Sequence, residues 1–247
     1  MNFGLIGKSI SHSFSKLYFE AKFATDNNLI DTYTNFDLED LDSLLTIISE
    51  NNISGLNVTK PYKELVIPYL NEIDSVAKNI GAINCIKISL KNNIPHLTGY
   101  NTDYYGFAQS IKPFMEPIHQ KALVLGTGGA SKAVYYALKN IGVDVYFVTT
   151  GTKKAENYFH YEDLNEYVLS AFKLIVNCTP LGLYPAVDDY PQIPYQFITS
   201  EHLMYDLIYN PEETLFLKKG KAQGAVSING LNMLKLQADK ALEIWKQ

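Results

Sequence analysis

Five short stretches of this chain hold residue types at spacings that can do chemistry. Residues 121–131 read K-A-L-V-L-G-T-G-G-A-S: an apolar run, 122–125, ends in Gly126, Gly128 and Gly129, and a helical pattern follows over 131–141. A glycine turn between strand and helix lets backbone approach a pyrophosphate closely. It also points helix N–H groups and the positive end of the helix dipole at the phosphates. Any tight turn can use glycine, but the strand before and the helix after favour dinucleotide binding over a structural turn. Residues 9–15, S-I-S-H-S-F-S, place Ser13 and Ser15 just before a helix. They fit two roles: the N-cap, where serine is favoured, and an anion clamp in which hydroxyls and helix N–H groups hold a carboxylate. Taken singly, the motif favours the cap. Residues 57–63, N-V-T-K-P-Y-K, follow a buried strand, so their polar side chains sit at a strand end, where open α/β sheets bind ligands. Lys63 is either such a group or a solvated lysine, and Lys60 reads as solvated. In G-A-I-N, residues 81–84, Asn84 opens an apolar strand, an odd position unless its amide is used. In G-Y-N-T-D, residues 99–103, Asp103 is either a functional carboxylate or the cap of a helix running to Ile111.

Elements of alternating type must position these stretches. Strands are expected over 2–6, 32–36 and 55–58, and helices over 15–27, 40–50 and 74–80, the second with Leu41, Leu44, Leu45 and Ile48 at helical spacing. Residues 82–90 and 94–100 read as a hairpin about Lys91-Asn92-Asn93. In the second half 123–125, 143–148, 174–177 and 203–207 are apolar strand candidates. This alternation predicts an α/β fold with a parallel, doubly wound sheet. Pro113 and Pro117 mark a helix end and a domain boundary, and 185–194 is a proline-rich loop. Residues 230–247 form an amphipathic helix with Leu234, Ala238, Ala241, Leu242 and Trp245 on one face. Gln237 shares that face, so its amide needs a partner in the protein, in water or in a ligand.

Bulk properties exclude several classes. Of 247 residues 47% are hydrophobic, enough for a full core, yet no apolar run has the length to span a bilayer, so a soluble chain with no membrane partner is expected. The first residues lack a basic region and a cleavage site, so they read as a first strand rather than a signal peptide. Two cysteines, Cys85 and Cys178, without metal spacing suggest reduced thiols and a cytoplasmic protein. Net charge is -5 and every one of the 21 basic residues is a lysine, so any anion site must use lysine, hydroxyls or backbone N–H rather than the arginine fork. No basic cluster interleaves with aromatics, which argues against nucleic-acid binding. His12, His96, His119, His160 and His202 show no metal spacing, and no metal is expected.

Taken in order, S-H-S-F-S, N-V-T-K-P-Y-K, G-A-I-N, G-Y-N-T-D, G-T-G-G-A-S and N-G-L-N-M-L resemble the shikimate dehydrogenase family over nearly the whole chain. The resemblance implies reduction of 3-dehydroshikimate to shikimate with NADPH, on the route to aromatic amino acids. It implies two α/β domains with a cleft between them. Residues 1–103 would form the substrate-binding and catalytic domain, 104–229 a Rossmann-like NADP-binding domain, and 230–247 a helix returning to the first domain. Ser13 and Ser15 would bind the substrate carboxylate. Thr59, Asn84, Tyr209 and Gln237 would line the substrate pocket. Lys63 and Asp103 would be the catalytic pair, the lysine stabilising charge on the carbonyl oxygen and delivering the proton. Gly126, Thr127, Gly128, Gly129, Ala130 and Ser131 would form the cofactor turn, with Thr149, Thr150, Lys153, Cys178, Thr179 and Gly230 completing the cofactor set. The expected partner is a small-molecule substrate, and the chain a monomer or homodimer.

Cofactor choice is read from residues 146–154, Y-F-V-T-T-G-T-K-K. NAD-binding turns place Asp or Glu at this strand end to hold the ribose 2′-OH. None stands here, so NADP is favoured, with Thr149, Thr150 and the lysines toward a 2′-phosphate. The chain departs from the family in lacking the usual arginine of this turn, with Thr150 nearest its place. Two other readings follow: a quinate/shikimate dehydrogenase with relaxed cofactor use, and a non-catalytic nucleotide-sensing protein. The sensor reading predicts ligand-induced stabilisation without turnover.

Overall fold

The structure, a computed structural model, describes residues 1–10, 13–25, 30–151 and 156–247. It divides into two compact units, one of residues 1–102 and 237–247, the other of residues 103–236.

The first unit runs β1 (Asn2–Gly7), α1 (Phe14–Thr25), β2 (Thr32–Asp37), α2 (Leu44–Glu50), β3 (Ile53–Val58), α3 (Tyr62–Leu65), β4 (Glu72–Ile73), α4 (Ser75–Ile80), β5 (Cys85–Lys91) and β6 (Ile94–Tyr100). Its sheet has the order β2-β1-β3-β5-β6-β4. Strand β1 runs parallel to β2 and β3, whereas β5 is antiparallel to β3 and β6. This sheet is therefore mixed: its parallel strands β1, β2 and β3 are joined to the hairpin expected over 82–90 and 94–100, whose first strand runs antiparallel. The cause is the β5–β6 turn: Asn92 and Asn93 both take left-handed backbone, with φ of 55 and 62, the geometry of a tight hairpin turn, which can only return the chain antiparallel. Period-two alternation buries both faces. Phe3 and Leu5 join Phe19, Tyr33 and Trp245 on one side, and Ile6, Leu56, Val58 and Ile86 join Leu44, Ile48 and Val66 on the other. The helix expected over 40–50 begins only at Leu44. Asp40 Oδ1 accepts from Asp42 N at 3.0 Å, a local side-chain bond that competes with a first helical turn.

The second unit runs α5 (Asp103–Ile111), β7 (Lys121–Leu125), α6 (Gly129–Asn140), β8 (Asp144–Thr149), β9 (Tyr158–His160), α7 (Glu166–Ala171), β10 (Leu174–Asn177), β11 (Leu203–Asp206), α8 (Leu215–Ala222), β12 (Val226–Ile228) and α9 (Leu231–Lys246), the last crossing into the first unit at Gln237. Its sheet is parallel throughout, in the order β12-β11-β10-β7-β8-β9. Ala122 and Val124 face one core with Val145, Phe147 and Val176, and Leu123 and Leu125 face the other with Val148, Ile175 and Met204. The sheet thus has helices on both faces, and the strand order reverses at β7, between β8 and β10, which is the topological switch point.

Candidate active site

In the first unit the candidate residues share one sheet edge. The C-terminal ends of β1, β3 and β6 and the start of β5 lie at that edge, because β5 alone runs the other way. Ser13 and Ser15 follow β1, Thr59 and Lys63 follow β3, Asn84 precedes β5, and Thr102 follows β6. The loop after β1 is tied down by Asp37 at the end of β2, whose carboxylate accepts from Ser9 N at 2.7 Å and Ile10 N at 3.3 Å. Ser13 Oγ accepts from Ser15 N at 3.3 Å, the bond that a helix N-cap makes. Ser15 is hydrogen-bonded to the Tyr33 hydroxyl, which donates to Asn57 Oδ1 at 2.7 Å. Burial pushes the Tyr33 phenol well above its ordinary value, against the pull of the Ser15 bond, so the ring donates as a neutral group.

Asn84 is the centre of a buried polar knot. Its Nδ2 donates to Thr102 Oγ1 at 3.0 Å and to Gln237 Oε1 at 3.3 Å, and its Oδ1 accepts from Thr102 N at 2.6 Å. Asn57 Nδ2 donates to Asn84 O at 3.3 Å, linking the knot to Tyr33. The amide that looked misplaced before an apolar strand is therefore used, and Gln237, on the packed stripe of α9, finds its partners there. Lys63 is half-buried on the single turn α3, where its carbonyl accepts from Ile83 N at 2.7 Å. Lys60 is exposed. Asp103 is buried and opens α5; it belongs to the second unit and Lys63 to the first.

In the second unit the candidates stand at the C-terminal ends of consecutive parallel strands: Gly126–Ser131 after β7, Thr149 and Thr150 at β8, Cys178 and Thr179 after β10, Tyr209 after β11, and Gly230 after β12. Gly126 has φ 96, and a Cβ there would lie 3.1 Å from Thr179 Cγ2, so the turn beside the switch point needs glycine twice over. Thr127 and Gly128 are exposed, and Gly129 and Ala130 open the first turn of α6, where helix geometry supplies no acceptor for their N–H groups, while Ser131 N donates to Gly128 O at 3.1 Å. Ser131 is buried and gives its hydroxyl to Gly128 O at 2.6 Å, so it braces the turn. Thr149 Oγ1 accepts from Gly151 N at 3.0 Å, and Thr150 is exposed. Lys153 lies outside the described residues. Hydroxyls and no carboxylate at 149–151, with an open helix N-terminus beside a glycine cradle, fit a phosphorylated dinucleotide. Burial raises the Cys178 thiol far above its ordinary range, which makes it an inert packing group.

The sequence reading missed a second knot. Asp206 closes β11 with no exposed surface, and its Oδ1 accepts from Asn177 Nδ2 and from Ile208 N, both at 3.0 Å, while Oδ2 accepts from Thr214 Oγ1 at 2.6 Å. An aspartate closing an apolar strand, L-M-Y-D, was the available signal. Desolvation pushes this carboxyl up to about 6, and the three donors pull it back. The ionisable groups around it, Cys178, Tyr195 and Tyr205, are themselves raised by burial and stay neutral. A folded-state pKa above the unfolded value of about 3.9 means that the folded chain binds this proton more tightly. Stability from this group is full below pH ~4 and is lost as pH rises through about 6. Wild type should therefore lose ~2 kcal/mol relative to Asp206→Asn between pH 4 and 7, at ~1.4 kcal/mol per unit. Urea denaturation of both proteins across that range measures it, and a pH-independent difference would refute it.

A doubly wound sheet with a phosphate-type turn at its switch point, joined to a mixed sheet with polar side chains along one edge, defines a two-unit nucleotide-binding α/β protein. Residues 5–86 match the family model for the shikimate dehydrogenase substrate binding domain. The NADP(+)-type shikimate dehydrogenase of Desulforamulus reducens is 36% identical over 262 residues, covering 98% of this chain and 88% of that protein. Shikimate 5-dehydrogenase from Thermus thermophilus, solved in complex with NADP(H) and shikimate, superposes with a TM-score of 0.85 at 29% identity, covering 99% of this chain and 93% of that one. Quinate dehydrogenase from Corynebacterium glutamicum, solved with NAD, reaches a TM-score of 0.87 at 28% identity, covering 99% and 93%. The chain belongs to the shikimate dehydrogenase family.

Proposed function

We propose that this protein is an oxidoreductase that reversibly reduces 3-dehydroshikimate to shikimate with NADPH. The observation that carries the reading is the Asn84–Thr102–Gln237 knot at the edge where Ser13, Ser15, Thr59 and Lys63 also stand. Hydroxyls, amides and one ammonium at one edge suit a small polyhydroxy carboxylate. Ser13 and Ser15 take the carboxylate; Thr59, Asn84, Tyr209 and Gln237 take ring hydroxyls. The bound nicotinamide supplies the hydride. Lys63 gives a proton to the carbonyl oxygen as charge builds there, and Asp103 orients the ammonium. Gly126–Ser131, Thr149, Thr150, Lys153, Cys178, Thr179 and Gly230 serve the cofactor. Residues 1–103, 104–229 and 230–247 act as substrate domain, nucleotide domain and returning helix. Among the described residues no helix is long and apolar enough to cross a membrane, and the protein works in the cytoplasm as a monomer or homodimer.

A second reading, a quinate/shikimate dehydrogenase of relaxed cofactor use, is favoured by the arginine-free turn and the likeness to an NAD-bound quinate dehydrogenase. Steady-state oxidation of shikimate and quinate, each with NADP⁺ and NAD⁺, separates the two. The expected result is turnover of shikimate with NADP⁺ well above the other pairs. Comparable rates with quinate or NAD⁺ replace it with the second reading. Nucleotide binding without turnover in any pair leaves a sensor.

A further inference from the structure

Asp206 sits at the end of β11, where the loop that carries Tyr209 leaves the sheet. Its three partners are all donors. Asn177 Nδ2 belongs to the end of β10, Ile208 N to the loop that carries Tyr209, and Thr214 Oγ1 to the cap of α8. Because Asn177 gives its Nδ2 to Asp206, its Oδ1 is turned the other way and accepts from Thr179 N at 3.0 Å and Thr179 Oγ1 at 2.6 Å. A carboxylate, acceptor on both oxygens, thereby fixes which way the Asn177 amide faces and so the shape of the Thr179 loop. The same loops are cross-linked by Leu207 N to Asn177 O at 3.1 Å and Gly230 N to Ile208 O at 3.1 Å. Leu207 O lies so close to Gly230 that no Cβ fits there.

We propose that Asp206 is a positioning residue: its carboxylate sets the loops after β10 and β11 so that Thr179 and Tyr209 meet nucleotide and substrate. An asparagine has nearly the same shape and avoids burying a charge, which is costly to desolvate, but it has one acceptor oxygen for three donors and holds Asn177 and Ile208 by weaker, uncharged bonds. The charge is therefore retained for how it orients donors rather than for stability. In Asp206→Asn the Nδ2 faces Thr214, whose hydroxyl must turn from donor to acceptor, and the strong charge-assisted bond is lost.

The proposal rests on the shikimate reading for its substrate, so the test has an arm that does not. In Asp206→Asn at pH 7.5 the thermal midpoint should be no lower than wild type. KM for shikimate and Kd for NADP⁺, the latter by protein fluorescence without turnover, should each rise roughly tenfold, the effect of one weakened charge-assisted hydrogen bond. A purely structural role predicts a lower midpoint and a lower apparent kcat with KM and Kd unchanged, since an unfolded fraction only removes active protein; that result, or no change in any of the four, overturns the proposal. If wild type fails to oxidise shikimate, the functional reading falls, and the Kd comparison still decides the role of Asp206.

Discussion

Lys63→Ala should lower kcat for shikimate oxidation by roughly 10²–10⁴-fold, the usual contribution of a positioned acid or base, with KM changed by less than about threefold. When hydride leaves or reaches the ring carbon, charge develops on the attached oxygen, and only an interaction stronger at that moment than in the bound ground state raises the rate. An ammonium is the group for this. The variant should keep its local frame, because what fixes α3 is backbone and neighbours: Lys63 O accepts from Ile83 N, Tyr62 N donates to Thr59 O at 2.9 Å, and the Tyr62 hydroxyl donates to Leu38 O at 2.7 Å. Ser13→Ala should do the opposite, raising KM with a smaller change in kcat, since a carboxylate far from the reacting bond is held equally in ground and transition states. Circular dichroism of both variants checks that they fold. A KM effect at Lys63 and a kcat effect at Ser13 would exchange the two roles.

How much of this was legible before the structure depends on the range of the interaction concerned. The glycine turn was, because its parts are contiguous: four apolar residues, three glycines within four positions and a helix. The polar character of Asn84 and Gln237 was also legible, as residues whose neighbours are all apolar. Their meeting came only from the family resemblance, which places both in one pocket, since 153 positions separate them and nothing local encodes that pairing. The Asn177–Asp206–Thr214 knot was hidden for the same reason, though Thr214 before Leu-Phe-Leu reads as a helix cap once α8 is suspected. Helix α8 itself escaped because Lys218, Lys219, Gly220 and Lys221 dilute its apolar stripe, and β12 because three residues cannot show a period. The antiparallel strand of the first unit was legible too, because Lys91-Asn92-Asn93 marks the hairpin locally; its pairing with β3, which makes the sheet mixed, is long-range and was not.

Trp245→Ala should destabilise the protein by ~3–5 kcal/mol, the range for deleting a fully buried large aromatic. The indole is 2% exposed at the far end of α9 and stacks on Phe3 with ring centroids 4.8 Å apart, with Phe19 at 5.6 Å and Tyr33 at 6.5 Å. It also donates Nε1–H to Ile86 O at 2.9 Å. Gly55, in the middle of β3, leaves no room for a Cβ beneath the ring, so the sheet is shaped to receive it. The truncation therefore opens a cavity and strips an acceptor at once. Trp245→Phe keeps ring packing and loses the N–H, and should cost less, ~1–2 kcal/mol. The effect reaches the candidate site through one rigid element. Gln237 stands eight residues earlier on the same helix, just over two turns away, and its bond to Asn84 holds only while that face of α9 stays seated. Trp245→Ala should thus raise KM for shikimate at temperatures where the variant is still folded, and Trp245→Phe should restore it. Denaturation in urea with parallel kinetics reads both effects. A loss below about 1 kcal/mol would show that α9 is anchored elsewhere along its stripe, and an unchanged KM in a destabilised variant would separate the seating of the helix from the placement of Gln237.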